Sequence, residues 1–327
     1  MHTHMYPLKF EPILKQTIWG GDKIIPFKRL DSRLPNVGES WEVSAVEGSE
    51  SVVASGPLRG RTLPQLVREY KGALVGERVY ARHGDKFPLL VKFIDAKQDL
   101  SIQVHPDDGL AMRRHGCPGK NEMWYVIGAD SEANLIAGFL THMSPAEYEC
   151  RVVDGTLAQA LHYCDVKAGD VLYIPAGRVH SIGAGTFVAE IQQSSDITYR
   201  IFDYGRRDKD GNPRQLHTAL ALDAIDFDDV CDDALTRYSR AQDAQVSVVK
   251  SPFFITNTYD LTREMTRDYQ HIDSFAILIC VEGACSLADN EGNAERLQAG
   301  DTVLLPAVTQ SVKIIPSPGV KLLETYL

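Results

Sequence analysis

Short apolar runs broken by glycine, proline and aspartate recur along the chain and predict a mainly β protein. In residues 37–46 (VGESWEVSAV) alternation sets Trp41 and Val43 on one face and Glu42 and Ser44 on the other. Glu39 and Glu42 flank that tryptophan, so one of them is a candidate to face a cavity. Residues 87–96 (FPLLVKFIDA) are nearly all apolar and read as a buried strand. In residues 100–109 (LSIQVHPDDG) Ser101, Gln103 and His105 share one face and Ile102 and Val104 the other. A polar side backed by an apolar side predicts a sheet whose inner face is a site. After a loop containing Arg113, Arg114 and Cys117, a strand resumes at GKNEMWYVIGA with Glu122 at its start. Strands are predicted again at 171–174 and within 186–206. From residue 246 onward short strands alternate with turns, ending in SVKIIP and VKLLETYL.

Helical patterning is confined to a few places. Thr62 as N-cap, Pro64 in the first turn and the stripe Leu63, Leu66, Val67 predict a helix over 62–70, with another over 76–82. Ser144 as cap with Glu147 at the third helical position starts a second insertion, expected to stay helical into TLAQALHYC, to about residue 163. Residues 216–225 predict a connecting helix. The acidic DFDDVCDD that follows reads as a linker. The expected organisation is a domain over 1–225 with helical insertions at 62–82 and 144–163, a linker over 226–245, and a second domain over 246–327.

One internal repeat sharpens this division. AGDVLYIPAGRVHS (168–181) aligns without a gap on AGDTVLLPAVTQSV (299–312). Gly169, Asp170 and Pro175 fall on Gly300, Asp301 and Pro306, whereas Gly177 falls on Val308 and His180 on Ser311. What both copies keep is scaffold. His180 stands in only one copy and has the claim to chemistry.

Charge and composition narrow the classes. A net charge of −10 over 327 residues argues against nucleic acid as partner. No run approaches a membrane span and the first ten residues lack a signal-peptide core, so no membrane association and a cytoplasmic location are expected. Six cysteines without regular spacing predict free thiols. His2 and His4 read as part of a frayed terminus. Gln103, His105, Glu122 and His180 form a mixed nitrogen and oxygen set suited to a divalent first-row metal such as zinc. The other histidines lack such a setting, and neither a nucleophile elbow nor a phosphate-binding glycine loop is present.

The unit G-x5-P-x-G-x2-H at 169–180 resembles the second motif of the cupin barrels, and Gln103-x-His105 with Glu122 resembles the first. QVHPDD, GKNEMWY, PAGRVHSIGAG and ITYRIFDYGR in this order resemble the class I mannose-6-phosphate isomerases of the short bacterial form, over essentially the whole chain. The resemblance implies two cupin-type jelly-roll barrels, the first with the helical insertions and the second degenerate and metal-free. It implies one Zn2+ per chain on Gln103, His105, Glu122 and His180, and interconversion of mannose 6-phosphate and fructose 6-phosphate through an enediol(ate). Arg200 matches the family's active-site arginine, and Asp196 and Lys120 match polar groups placed in proton transfer or sugar binding.

Asp108 and Gly119 depart from the long form's lysine and histidine, so no role carries over to either. Glu42 is a weaker base candidate. Arg113, Arg206 and Arg207 are available for phosphate but read as solvated loop charges. Asp196 reads equally as base or as salt-bridge partner of Arg200. Open alternatives are another phosphosugar isomerase, an iron oxygenase of the cupin type, or a non-enzymatic sugar-binding cupin. Monomer and homodimer are not distinguished.

Overall fold

The computed structural model describes residues 5–208, 210–231 and 233–327; His2 and His4 lie outside these. The chain is mainly β. Its first strands, β1 (Ile13–Gly21) and β2 (Val37–Val43), bracket a short helix, α1 (Ile24–Phe27). A two-stranded hairpin, β3 (Ala45–Val46) and β4 (Ser49–Glu50), leads into α2 (Leu63–Tyr70), α3 (Gly72–Val75) and α4 (Glu77–His83). Thr62 and Gln65 form a reciprocal capping box at the start of α2. Gly76, at φ +95°, breaks α3 from α4 where a Cβ would lie 2.4 Å from the Asp273 carbonyl oxygen.

Next come β5 (Leu89–Asp95), β6 (Ile102–Val104), α5 (Asp108–His115), β7 (Glu122–Ala129), β8 (Asn134–Phe139) and α6 (Pro145–Val153). They are followed by β9 (Leu161–Asp165), β10 (Val171–Ile174), β11 (His180–Ile182), β12 (Thr186–Gln193), β13 (Tyr199–Phe202) and α7 (Thr218–Leu222). Two antiparallel sheets result, in the orders β1-β2-β5-β12-β7-β10 and β13-β6-β11-β8-β9.

The central strands of both sheets are buried on both faces, and the period of two sorts their residues. The outward face of the first sheet sends Leu89, Val91, Phe93, Met123, Ala189 and Ile191 into a core shared with α2 to α4. The outward face of the second sends Ile102, Val104, Ile136 and Phe139 into a core with Tyr148 of α6 and Ala221 of α7. Between the sheets lies a mixed interior. Trp124, Val126, Val188 and Ile182 pack at one end, and polar side chains fill the other.

Several elements differ from the sequence reading. Residues 161–165 are a strand, not the end of a helix: their backbone groups complete the edge beside β8, with Leu135 opposite Cys164 and Ile136 opposite Tyr163. Arg113 and Arg114 sit on helix α5, not in a loop; Asp107 caps it by accepting from the Leu110 N–H at 2.7 Å, and Gly116 ends it in the left-handed region. The connecting helix over 216–225 shortens to α7.

The described residues of 226–245 run along the first two sheets. Arg178 and Asp229 form a bidentate ion pair at 2.8 and 2.7 Å, and Leu235 bridges Leu172. A third sheet then forms from β14 (Gln245–Lys250), β15 (Ile255–Leu261), β16 (Met265–Asp268), β17 (Ala276–Asp289), β18 (Ala294–Gln298), β19 (Thr302–Leu305) and β20 (Ser311–Tyr326). SVKIIP and VKLLETYL, separate in the sequence reading, are both parts of β20.

The repeat is visible in the backbone. Asp170 Oδ2 accepts from Lys167 N at 3.0 Å and Asp301 Oδ2 from Gln298 N at 3.2 Å. Gly169 and Gly300 have φ of +84° and +91°. After the strand, Arg178 N donates to Pro175 O and Thr309 N to Pro306 O.

Candidate metal centre and active-site pocket

Gln103, His180 and Arg200 are cross-strand neighbours on the second sheet, since Gln103 of β6 is opposite both His180 of β11 and Arg200 of β13. Opposed residues of an antiparallel pair project from the same face, so all three enter the interior together. Facing them across the gap is Glu122, the first residue of β7 in the other sheet. His105, just past β6, completes the group. His105 Nε2 lies 3.1 Å from His180 Nε2. The Glu122 oxygens lie 3.6 Å from His105 Nε2 and 3.4 Å from His180 Nε2. The Gln103 amide nitrogen is 3.4 Å from His180 Nε2.

Each imidazole is oriented through its other nitrogen: His105 Nδ1 meets the Ile197 carbonyl at 2.9 Å and His180 Nδ1 that of Arg178 at 2.8 Å. Those contacts require the proton on Nδ1 and leave both Nε2 lone pairs aimed at one point. Gly177 ties the two histidine segments together, its N–H donating to the His105 carbonyl at 3.0 Å.

Burial lowers both imidazole pKa values, that of His180 to about 3, and Lys120 lowers them further. Burial raises the Glu122 carboxyl, and Glu190 adds to the rise. Neither buried Glu122 oxygen accepts a well-directed hydrogen bond, although the Lys120 ammonium lies against one of them. Two neutral imidazoles and a carboxylate with converging lone pairs are a donor set for a divalent cation. His105, Glu122 and His180 fit that role.

A pocket of about 310 Å³ opens above this group, walled by Glu39, Lys92, Glu190, Asp196, Arg200 and Arg214. Lys92, Glu190 and Trp124 stand side by side on β5, β12 and β7. Lys92 Nζ is 3.2 Å from Glu190, whose other oxygen accepts from the Trp124 indole at 2.9 Å. Burial alone would lower the Lys92 ammonium, but Glu39 and Glu190 hold it above its ordinary range. Burial would raise Glu190, yet Lys120 and Lys92 outweigh it and keep that carboxylate ionised. Asp196 sits exposed at the mouth, where desolvation raises its carboxyl and Lys92 opposes the rise. A larger groove of about 950 Å³ borders the site at Asp196.

The pocket thus gathers Gln103, Lys120, Asp196 and Arg200 beside the His105, Glu122 and His180 group. Among the described residues no ion pair joins Asp196 to Arg200; Arg200 Nη1 donates instead to the Gln215 carbonyl at 3.0 Å. Glu42 points away from the pocket, buried against Lys28 at 2.7 Å, and is removed as a base candidate; Glu39 is the carboxylate that faces the cavity. Asp108 is spent on scaffolding, accepting from Gly119 N at 2.8 Å and Gln193 Nε2 at 2.9 Å. A Cβ on Gly119 would lie 2.6 Å from the backbone at 107 and 108, so no histidine fits there.

Lys92, Glu190 and Arg214 were missed from sequence. The available signal for the first two was a single charge inside each apolar strand, which burial allows only with a partner.

The fold and site define a cupin-like β protein with a buried metal-type centre beside a charged pocket. Residues 8–134 match the family model described as phosphomannose isomerase type I, catalytic domain. The putative mannose-6-phosphate isomerase YvyI of Bacillus subtilis is 36% identical over 92% of this chain and 93% of its own length. The mannose-6-phosphate isomerase ManA of the same organism is 33% identical over 92% and 93%. The crystal structure of a mannose 6-phosphate isomerase from Bacillus subtilis superposes with a TM-score of 0.88 at 31% identity, over 99% of this chain and 100% of that one. The chain belongs to the type I phosphomannose isomerase family.

Proposed function

We propose that this protein is a zinc-dependent aldose–ketose isomerase that interconverts mannose 6-phosphate and fructose 6-phosphate through an enediol(ate). The observation that carries the reading is the convergence of His105, Glu122 and His180 beneath a pocket with a base and fixed cations on its walls. His105, Glu122 and His180, with Gln103 beside them, would hold the ion. When bound, a divalent ion would supply Lewis-acid polarisation of the sugar's O1 or O2.

The chain's own groups supply the rest. A base must take the proton from C2 of the open-chain aldose and return it to C1. Asp196 suits this better than Glu190, because its raised carboxyl lies nearer the working pH, while Glu190 is held ionised by two lysines. Arg200, a neighbour of Gln103 across the strands, stabilises the charge that develops on the enediolate oxygens. Lys120 orients the sugar.

In this reading the catalytic barrel occupies 1–225 and the repeat at 299–312 belongs to a second, metal-free barrel over 246–327. Hexose 6-phosphates as substrates place the enzyme in the cytoplasm. Exhaustive chelation is expected to abolish conversion of mannose 6-phosphate, and zinc to restore it, in a coupled assay with metal analysis. Full activity in a metal-stripped protein would sink the metal assignment. Turnover of glucose 6-phosphate alone would move the substrate.

A further inference from the structure

Arg200, Arg206 and Arg214 gather near Asp203 where β13 leaves the site, and the last two pair with it. The chain beyond β13 turns back on itself: Arg207 bridges Pro213, and His217 N donates to the Arg200 carbonyl at 2.7 Å. The returning leg lays Arg214 on the pocket wall with Arg200. Asp203, itself buried, pairs with Arg206 and Arg214. Its contacts to Arg214 are long, 3.3 and 3.4 Å. Among the described residues Arg200 has no carboxylate partner, and its buried Nε has no hydrogen bond.

Within this cluster three cations against one paired anion leave two positive charges in excess, while the rest of the pocket wall carries Lys92 and Lys120 against Glu39, Glu190 and Asp196. Desolvation and the neighbouring Arg214 and Arg206 accordingly depress the Arg200 guanidinium. Like charges gathered in a partly desolvated pocket are unfavourable until an anion joins them. A phosphate dianion matches the excess in sign and size, and guanidinium matches its geometry. The two arginines are also placed differently. Arg200 is held beside Gln103 at the reacting end by strand register, whereas Arg214 reaches the wall from the hairpin.

We propose that Arg214 is the residue that recognises the 6-phosphate of the substrate, with Asp203 positioning its guanidinium. This rests on the hexose 6-phosphate reading above. Arg113, exposed on α5, does not line this pocket.

The test compares Arg214→Met and Arg214→Lys with Arg113→Met as control, all loaded with metal. Loss of a charge-assisted contact predicts a KM for mannose 6-phosphate raised about ten- to a hundredfold in Arg214→Met. kcat should stay within about threefold, since the contact is made in ground and transition states alike. Arg214→Lys should fall between, Arg113→Met should match the unaltered enzyme, and bound metal should stay stoichiometric in all three. Inorganic phosphate should inhibit the unaltered enzyme competitively and lose potency by a similar factor in Arg214→Met. An unchanged KM with unchanged phosphate inhibition, or a loss confined to kcat, would overturn the assignment. Calorimetric titration with inorganic phosphate needs no turnover. If the unaltered protein converts no hexose 6-phosphate, the isomerase reading fails, and equal phosphate affinity in Arg214→Met would then separately remove Arg214.

Discussion

Gly177 carries more of the site than a residue without a side chain would be expected to. It holds φ at +94°, its N–H fixes the His105 carbonyl, and its own carbonyl receives Asp226 N at 2.9 Å. Gly177→Ala would force an alanine into the left-handed region at a cost of about 1–2 kcal/mol. The expected outcome is a lower melting temperature together with less metal bound per chain, read by calorimetry and metal analysis. A variant with lower stability but full metal content would show that the turn does not aim His180.

At this scale the convergence of His105, Glu122 and His180 was legible as a candidate metal group, because P-x-G-x2-H and Q-x-H are local patterns and the unarmed repeat isolates His180. Lys92 and Glu190 were not. Their meaning lies in a cross-strand contact between residues almost a hundred positions apart, which no local pattern encodes.

Among the elements, β2, β5, β6, β7, β10 and β12 were read from the sequence because alternation and apolar runs report burial directly, whereas β8, β9 and β11 were not. The errors fell where local pattern is ambiguous. Residues 161–165 sit between helical residues and a turn, and only the open edge of β8 decides for a strand. Helix α5 is eight residues long and mostly polar outside Leu110 and Ala111, so it lacks an apolar stripe to announce it. Its cap therefore matters in proportion. Asp107→Ala is expected to cost about 1 kcal/mol and to lower the melting temperature by a few degrees with metal content intact. Because Asp108 on the same turn anchors Gly119 beside Lys120, a simultaneous fall in activity would show that α5 positions the lysine.

The molecule as a whole is closed by a third sheet with its own buried charge. Glu324, fully buried, accepts from Asn257 at 2.8 Å, Tyr259 at 3.0 Å, Tyr269 at 2.8 Å and Arg267 at 3.0 Å. Burial raises both phenols above their ordinary value near 10, and Glu324 raises them further. A raised folded-state pKa gives stability that is complete below the unfolded value and lost as pH rises beyond it. The urea midpoint should therefore drop between about pH 9 and about pH 11. Tyr269→Phe should start less stable near neutrality yet show a smaller alkaline drop. An equal drop in both proteins would take Tyr269 out of the linkage.

The second copy of the repeat is packed into the first two sheets rather than appended to them. Leu8 and Leu304 exchange backbone hydrogen bonds at 2.8 Å each way. The corner at Ala307 and Val308 donates to the carbonyls of Leu74 and Ala73. Phe275 packs against Phe87 at a tilt of 39° with ring centres 4.5 Å apart, and Leu323 shares their core. This has a consequence for the newborn chain. The whole candidate metal group has left the ribosome once residue 180 is out, but the apolar floor beneath β5 and α2 to α4 is laid only when β20 emerges. Translation thus delivers the His105, Glu122 and His180 group well before the strand that supports it, and the pocket can set only after β20 has docked.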